Sequence, residues 1–396
     1  MSHGDPVSLA IANCGYDGAL DDPEAVLGRY DTLVGWAQAV AEAGAAAVTV
    51  VQRFWRDVVV ARDGIEYRFV ADGPRGPAGA WFRGDRMARA IGALAPDAIH
   101  VNGCTFPLFV RNLRRRLPAA AAIVVQDHTG SGTQHLPRGW RGTFWRRFHR
   151  FGLGAADAFL FTAREQAALW SRAGIIQDDQ DVYEIPEAST NLGRAGVGPG
   201  PDRPLPGRPA LLSVARLDAN KDPLTLLAGF ERAAAALPGA ALTLAFGGDA
   251  LLPEVRARIA SSAVLAARVH LRGALARSDL PAIYRGADLF LMASHREGAS
   301  FALIEALSFG LLPIVTDIPP LRALTDGGRL GALFPPGDSE ALARAIVRLG
   351  REDLFALRQQ VLGYFARELS WPAIGRRAVA AYAATTDRRR GDAAAR

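Results

Sequence analysis

The chain has 396 residues, of which 49% are hydrophobic and 22% charged, and its formal net charge is +6. A chain of this length can bury two hydrophobic cores, and without an apolar run of about 18 residues or a signal-peptide pattern we expect a cytoplasmic protein. With two cysteines, Cys14 and Cys104, the chain has no cysteine set for a disulfide framework or a zinc site.

Short apolar runs alternate with helix-periodic stretches along the first half of the chain. Strand-like runs occupy residues 7–13, 47–51, 98–101, 121–126 and 158–161, with helical stretches such as 31–43 and 86–94 between them. This alternation is typical of a parallel sheet covered by helices. Residues 1–192 are therefore predicted to form one α/β domain.

A linker is predicted at residues 193–209, where the sequence GRAGVGPGPDRPLPGRP holds too much glycine and proline for a helix or a central strand. Strand-like runs then resume at residues 210–215, 242–246, 269–271, 289–293 and 312–315. We expect a second doubly wound domain over 210–365, with ligands bound outside the carboxyl ends of its strands.

The C-terminal region has a helix-periodic pattern that Trp371-Pro372 should interrupt, because proline cannot continue the hydrogen-bond ladder. Residues 366–385 are predicted to form a helix that packs back on the first domain. Residues 386–396 are predicted to be a disordered tail.

Two glutamates, Glu297 and Glu305, are separated by seven residues within the sequence HREGASFALIEALSFGLLPIVTD. Helix periodicity begins near Ser300, which places Glu297 in the loop after a strand and Glu305 within the helix. The amides of Ser300, Phe301 and Ala302 at the helix start would then form a phosphate site. For an isolated pair, a surface helix with two unrelated carboxylates is the alternative.

Lys221 is the only lysine among 46 basic residues, and it follows the run 210–215 together with Arg216 in LLSVARLDANKDPLTLLAGF. Two cations at the carboxyl end of a strand suit a diphosphate. The alternatives are that both residues are solvated surface charges, and that the single lysine has been retained by chance.

The Arg-Leu-x-x-x-Lys stretch, the sequence YRGAD at residues 284–288 and the two spaced glutamates resemble, in this order, family 4 of the retaining glycosyltransferases. The resemblance covers about residues 210–349. It implies the GT-B fold, in which two doubly wound Rossmann-like domains face one another across a cleft. It also implies transfer of a sugar from a nucleotide diphosphate donor to a glycan, lipid-linked or small-molecule acceptor, with retained anomeric configuration and without a metal ion or cofactor.

The same resemblance implies that Arg216 and Lys221 hold the diphosphate, Glu305 the ribose and Glu297 the hydroxyls of the donor sugar. Ala299 and Ser300 stand where the family commonly has an aromatic residue and a glycine, and residues 246–249 read FGGD instead of the usual Gly-Asp-Gly turn. These positions shape the pocket, so the sugar and the base are not predicted. Further residues of the predicted donor site are Gly247, Arg272, Gly273, Gly298, Phe301 and Ala302.

In the first domain, His128 follows the run 121–126 in the sequence QDHTG. The resemblance implies that His128 is a catalytic residue beside the donor sugar. The alternative is that His128 only caps the end of the strand. Gly15, Glu187 and Ser189 also follow strands and are predicted to line the donor site, with turn or helix capping as the alternative. The predicted catalytic residues are thus His128, Glu297, Lys221 and Arg216, and no metal ligand is predicted.

Residues 111–150 hold nine arginines and one acidic residue, Asp127, among several aromatic side chains. This composition predicts peripheral contact with an anionic membrane at its inner face, with inward-turned aromatics as the alternative. It also suits a non-catalytic nucleic-acid-binding module, and a nucleotide-sugar epimerase is a second rival. Because nucleic-acid binding needs no carboxylates, the glutamate pair favours the glycosyltransferase, and we expect no nucleic-acid partner.

Overall fold

The computed structural model describes residues 6–127, 139–188 and 205–395. The chain forms two compact units, one of Met1–Ala188 together with Trp371–Arg396, and one of Ser189–Ser370. Most of the predicted linker at 193–209 lies outside the described residues.

The first unit contains a sheet of eight strands in the order β3-β4-β2-β1-β5-β6-β7-β8, parallel except for the antiparallel pair β3-β4. Its strands are β1 (Ser8–Asn13), β2 (Ala47–Phe54), β3 (Val58–Arg62), β4 (Ile65–Ala71), β5 (Ala98–Asn102), β6 (Ala122–Gln126), β7 (Ala158–Phe161) and β8 (Asp181–Glu184). Its helices before the linker are α1 (Pro23–Arg29), α2 (Asp31–Glu42), α3 (Asp85–Leu94), α4 (Pro107–Arg116), α5 (Gly139–Leu153) and α6 (Arg164–Arg172).

The second unit contains a parallel sheet of six strands in the order β11-β10-β9-β12-β13-β14. Its strands are β9 (Ala210–Val214), β10 (Ala241–Ala245), β11 (Val269–Gly273), β12 (Leu289–Met292), β13 (Leu312–Thr316) and β14 (Ala332–Phe334). Its helices are α7 (Pro223–Ala234), α8 (Leu252–Ala260), α9 (Ala263–Arg268), α10 (Leu280–Gly286), α11 (Phe301–Ser308), α12 (Pro319–Leu324), α13 (Ser339–Leu349) and α14 (Leu354–Tyr364).

Both faces of the first sheet are covered. Leu9 and Ile11 of β1 point into one hydrophobic core, and Ala10 and Ala12 of the same strand point into another. Successive side chains of a strand alternate between the faces of its sheet, so two layers of helices are needed to bury them. The apolar runs of the sequence therefore form central strands.

The last helix, α15 (Trp371–Ala394), belongs to the first unit. The helix-periodic pattern is interrupted as predicted, because α14 passes into one π-helical turn, Phe365–Leu369, and Ser370 is extended before α15 begins. Pro372 lies in the first turn of α15, where its missing amide hydrogen is tolerated. Within the first unit, Trp36 Nε1 donates a hydrogen bond of 2.9 Å to Tyr382 Oη.

The prediction of a disordered tail over 386–396 is wrong for residues 386–394, which continue α15. Arg388 donates to the carbonyl of Asp157 at 2.7 Å, Arg389 to the carbonyl of Ala119 at 2.8 Å, and Arg390 to the carboxylate of Asp97 at 2.6 Å. Three successive arginines thus bind acceptors on the first unit, and this holds the end of the helix in place.

Tyr67 of β4 is fully buried, and its hydroxyl has no hydrogen-bond partner among the described residues. Burial raises the pKa of Tyr67 to about 12. Because a buried hydroxyl without a partner costs free energy, Tyr67→Phe should raise the free energy of unfolding by about 1 kcal/mol at neutral pH. Urea unfolding of both proteins measures this difference.

The stability of the wild type and that of Tyr67→Phe should also respond differently to alkaline pH. The pKa of Tyr67 is about 12 in the folded protein and about 10 in the unfolded chain, so folding favours the protonated hydroxyl. The unfolded chain therefore ionises first, and the wild type loses stability as pH rises from about 10 toward 12. The wild type should lose stability in that window faster than Tyr67→Phe. Parallel losses in the two proteins would contradict this assignment.

Candidate functional site

The order of strands in the second sheet marks one position at its carboxyl edge. From β9 the chain adds β10 and β11 on one side, whereas β12, β13 and β14 lie on the other. The strand order therefore reverses between β9 and β12, and doubly wound sheets bind ligands at such a point. Arg216 and Lys221 follow β9, and Glu297 follows β12.

Direct contacts join the loop after β9 to the loop after β12. The amide of His295 donates to the carbonyl of Asn220 at 2.8 Å, and Asn220 Nδ2 donates to the carbonyl of Arg296 at 3.0 Å. Lys221 Nζ forms an ion pair of 2.5 Å with Glu297 Oε1. These contacts join the two loops at the switch point.

The Lys221–Glu297 pair is mostly removed from solvent, since the two side chains are 17% and 8% exposed. The family resemblance assigned Lys221 to the diphosphate and Glu297 to the sugar, whereas here the two side chains bind each other. An ion pair of this burial depends on both partners, because removal of one leaves a charge that neither water nor a counter-ion compensates. The pair also fixes the ammonium group at the switch point.

Arg216 extends into solvent, with 64% of its side chain exposed and an ion pair of 3.0 Å to Asp218. Its aliphatic stem passes over Gly248, where an added Cβ would lie 3.2 Å from Arg216 Cγ. The amide of Leu217 donates to the carbonyl of Gly248 at 2.7 Å. The FGGD turn after β10 therefore leaves room for the stem of Arg216.

Helix α11 begins where the sequence predicted. Ser300 is its N-cap residue with φ 50°, and Phe301 is its first residue. The Ser300 hydroxyl donates to Met292 Sδ at 3.3 Å and does not cap the helix. Among the described residues, the Ser300 side chain leaves the start of α11 uncapped, and the first amides of the helix, together with the positive end of its dipole, suit an anion.

Glu305 lies in α11 and is oriented by Tyr284 of α10. The fully buried Tyr284 hydroxyl donates to Glu305 Oε2 at 3.0 Å and to the carbonyl of Ala302 at 3.3 Å. Burial raises the pKa of Tyr284 well above its usual value, and the neighbouring Glu305 carboxylate raises it further. The tyrosine therefore stays protonated and donates to the glutamate across the physiological pH range.

Tyr284→Phe should weaken binding of the bare nucleotide diphosphate about threefold to tenfold, because one hydrogen bond that orients Glu305 is lost. The ring stacks on Phe309 at 5.5 Å between centroids, and phenylalanine can keep that contact. Calorimetric titration of both proteins with the same nucleotide measures the change. An unchanged dissociation constant would show that Tyr284 does not position Glu305 for ligand binding.

Gly247, Arg272 and Gly273 lie at the ends of neighbouring strands. Gly273 closes β11 with φ 57°, and its carbonyl accepts a hydrogen bond of 3.0 Å from the amide of Phe246. Arg272 is exposed, and Gly247 follows β10 with open space where a Cβ would stand. Together with the β9 and β12 loops, these residues place candidate contacts after four adjacent strands.

The predicted residues of the first unit are placed only in part. Gly15 follows β1, and its carbonyl accepts a hydrogen bond of 2.7 Å from Gln52 Nε2. Glu187 follows β8 and is buried. His128 and Ser189 lie outside the described residues, so their predicted roles stay predictions.

Sequence reasoning missed Asp218, which contacts the Arg216 side chain and the Lys221 backbone in the β9 loop. Its Oδ1 accepts from the amide of Lys221 at 2.9 Å, and its Oδ2 pairs with Arg216. An aspartate that accepts from a backbone amide a few residues later is a common turn signal. The sequence RLDANK carried that signal between the two cations.

Among the residues that the structure describes, no three His, Cys, Asp or Glu side chains lie close enough together to hold a metal ion. In the same part of the chain, every helix is too short or too polar to span a bilayer.

Residues 208–352 match the sequence profile of the group 1 glycosyl transferases. Mannosylfructose-phosphate synthase of Agrobacterium fabrum is 29% identical over 212 residues, which cover 51% of this chain and 45% of the synthase. GDP-mannose:cellobiosyl-diphosphopolyprenol alpha-mannosyltransferase of Xanthomonas oryzae is 29% identical over 282 residues, covering 68% of this chain and 70% of that enzyme. The chain thus spans less than half the length of the first relative.

The solved structure of sucrose-phosphate synthase from Thermosynechococcus elongatus superposes with a TM-score of 0.65, at 20% identity, over 94% of this chain and 98% of that one. This likeness shows the fold. None of these matches favours an epimerase or a nucleic-acid-binding module. The predicted resemblance is confirmed: residues 208–352 match the group 1 glycosyl transferases, and the two α/β units of the chain have the GT-B fold.

Proposed function

We propose that this protein transfers a sugar from a nucleotide diphosphate donor to an acceptor hydroxyl, with retained anomeric configuration and without a metal ion. The acceptor is a glycan, a lipid-linked molecule or a small molecule. The observation that carries this proposal is the arrangement at the switch point of the second sheet, where the Lys221–Glu297 pair lies in the loops that precede α7 and α11, and the Ser300 side chain does not cap α11.

The proposed role of the cations follows from the charge that the reaction develops. The bond between C1 of the sugar and the diphosphate breaks, and its electron pair stays on the phosphate oxygen. Lys221, Arg216 and the first amides of α11 would stabilise that oxygen, and fixed charges stabilise developing charge better than water does. The acceptor oxygen bonds to C1 on the same face, and its proton passes to the released diphosphate.

The proposed roles of the two glutamates differ. Glu305, held by Tyr284, would accept hydrogen bonds from both ribose hydroxyls of the donor. Glu297 would accept hydrogen bonds from the transferred sugar while it keeps Lys221 in place. We further propose that His128 lies beside the donor sugar, by the family resemblance.

The names of two relatives support a choice of first substrates. The Xanthomonas oryzae relative is named for GDP-mannose and a diphosphopolyprenol acceptor, and the Agrobacterium fabrum relative for a mannosylfructose phosphate. We therefore propose GDP-mannose as the first donor to test. We also propose that the protein works in the cytoplasm and contacts an anionic membrane peripherally through residues 111–150.

Metal independence is tested by chelation. After dialysis against excess EDTA, the rate of sugar transfer should be unchanged, because Lys221 and Arg216 carry the charges that would stabilise the leaving diphosphate. The measurement is the initial rate of nucleotide diphosphate release in the presence of acceptor. A rate that collapses on chelation and returns only with Mg²⁺ or Mn²⁺ would overturn the metal-independent mechanism.

A further inference from the structure

Helix α5 exposes an aromatic and basic face. Trp140, Phe144, Arg147 and Phe151 succeed one another at helical spacings of four, three and four residues, and all four are exposed. Trp140 is 81% exposed. Side chains at this spacing lie along one side of a helix, so the face runs about 16 Å at about 1.5 Å per residue.

Trp81 enlarges the apolar surface of this face. It is 59% exposed, and its ring centroid lies 4.4 Å from that of Phe148 and 6.4 Å from that of Phe144. The rings therefore form one connected aromatic surface with its outer side in solvent. An exposed apolar patch of this kind marks an interaction site.

A cationic pocket of about 340 Å³ lies at the end of the same face. It is lined by Arg111, Arg147, Arg150, Phe151, Gly154 and Gln177. Gly152 lets α5 cross closely over α4, since an added Cβ there would lie 2.3 Å from Pro107 Cβ. That crossing brings the guanidinium of Arg111 over the ring of Phe151, at 4.9 Å from the centroid.

The pocket has an unbalanced positive charge. Among the described residues, no carboxylate pairs with Arg111, Arg147 or Arg150, and α5 itself contains no acidic residue. By contrast, Arg114 on α4 forms an ion pair with Asp157. Three arginines that converge without a counter-ion suit an anion that several guanidinium groups can bind together, and phosphate is such an anion.

We propose that α5 docks on a bilayer of anionic phospholipids, with a lipid phosphate in the pocket of Arg111, Arg147 and Arg150. Trp140 and Phe144 then enter the headgroup region, where tryptophan and phenylalanine replace contact with water by contact with acyl chains. A nucleic-acid duplex would also supply phosphate, but its outer surface is charged backbone, which offers little apolar surface to cover an aromatic row on a convex helix. The proposal deepens the membrane contact of the proposed function by naming its residues and its lipid.

The test is flotation of the full chain with vesicles of phosphatidylcholine alone and of phosphatidylcholine mixed with phosphatidylglycerol. The chain should float with the mixed vesicles and not with the neutral ones, and high salt should weaken binding. Arg147→Gln and Arg150→Gln should each weaken binding about fivefold, on the scale of one basic side chain near an anionic surface. Trp140→Ser with Phe144→Ser should weaken it about tenfold or more, through lost apolar burial.

Matched controls lie elsewhere on the chain. Arg89→Gln removes an exposed arginine of α3, and Phe355→Ser removes an aromatic side chain of α14 that is 65% exposed. Both controls should float like the wild type. Lys221→Ala, whose turnover is expected to fall about a hundredfold or more, should also float like the wild type. Flotation therefore tests membrane binding even if the proposed sugar transfer is wrong.

Three outcomes would overturn the proposal. One is equal flotation with neutral and anionic vesicles, and another is no flotation with either. The third is binding of a labelled oligonucleotide that the α5 variants abolish while vesicle binding is absent, which would assign the face to nucleic acid.

Discussion

Lys221→Ala should lower turnover about a hundredfold or more, which is the scale of removing one preorganised charge from a site where negative charge develops. It should also destabilise the second unit by about 3 kcal/mol, because Glu297 is then left buried without its cation. Initial rates with the intact donor and urea unfolding measure the two effects separately.

A double-mutant cycle isolates the ion pair. Lys221→Met and Glu297→Gln should each destabilise the protein. The variant that carries both changes should cost clearly less than the sum of these two single changes, because it buries no uncompensated charge. Arg232→Gln is a suitable control, since its ion pair with Glu340 is exposed and should contribute little. Strictly additive losses would show that the pair does not stabilise the fold, and activity within a few-fold of wild type would remove Lys221 from the site.

Glu305→Ala should weaken binding of the bare nucleotide diphosphate about tenfold to a hundredfold, on the scale of hydrogen bonds to a charged group. Contacts to the ribose change little during the reaction, so donor binding should fall by a similar factor. Calorimetric titration with the nucleotide diphosphate measures this loss directly.

Glu297→Gln should behave differently in the same assays. Bare nucleotide diphosphate should bind about as well as to the wild type, because the change removes no nucleotide contact and the glutamine oxygen can still accept a hydrogen bond from the Lys221 ammonium. Turnover should fall about a hundredfold, since contacts to the distorting sugar ring strengthen as the bond breaks. If Glu297→Gln abolished nucleotide binding while Glu305→Ala spared it, the assignment of the two glutamates would be reversed.

The local parts of the candidate site could be predicted from the sequence. The start of α11 at Ser300 follows from helix periodicity after a strand, and the position of Lys221 follows from the apolar run before it. Both positions depend on residues that are close together in the chain, where the hydrophobic periodicity of a strand differs from that of a helix.

The contacts between distant residues could not be predicted in the same way. Lys221 and Glu297 are 76 residues apart, and they meet because β9 and β12 are neighbours at the point where the strand order reverses. Periodicity gives the strands but not which of them pair. The orientation of Glu305 by Tyr284 depends likewise on how α10 packs beside α11.

Two features of the first unit were missed for different reasons. The antiparallel hairpin of β3 and β4 has an Asp63-Gly64 turn with positive φ at both residues, and this dipeptide is a strong hairpin signal that was present in the sequence. The helical course of residues 386–394 had no such signal, because an arginine-rich end resembles a solvated tail until its acceptors are known.

The most direct test of the central claim is a thermal-shift and calorimetric titration of the whole chain with UDP, GDP and ADP. One of the three should stabilise the protein, by about 2.7 kcal/mol at a hundred times its dissociation constant. The stabilisation should be strongly reduced in Glu305→Ala and in Lys221→Ala. A nucleotide diphosphate site between β9 and β12 would be contradicted if none of the three stabilised the protein, or if both variants were stabilised as much as the wild type.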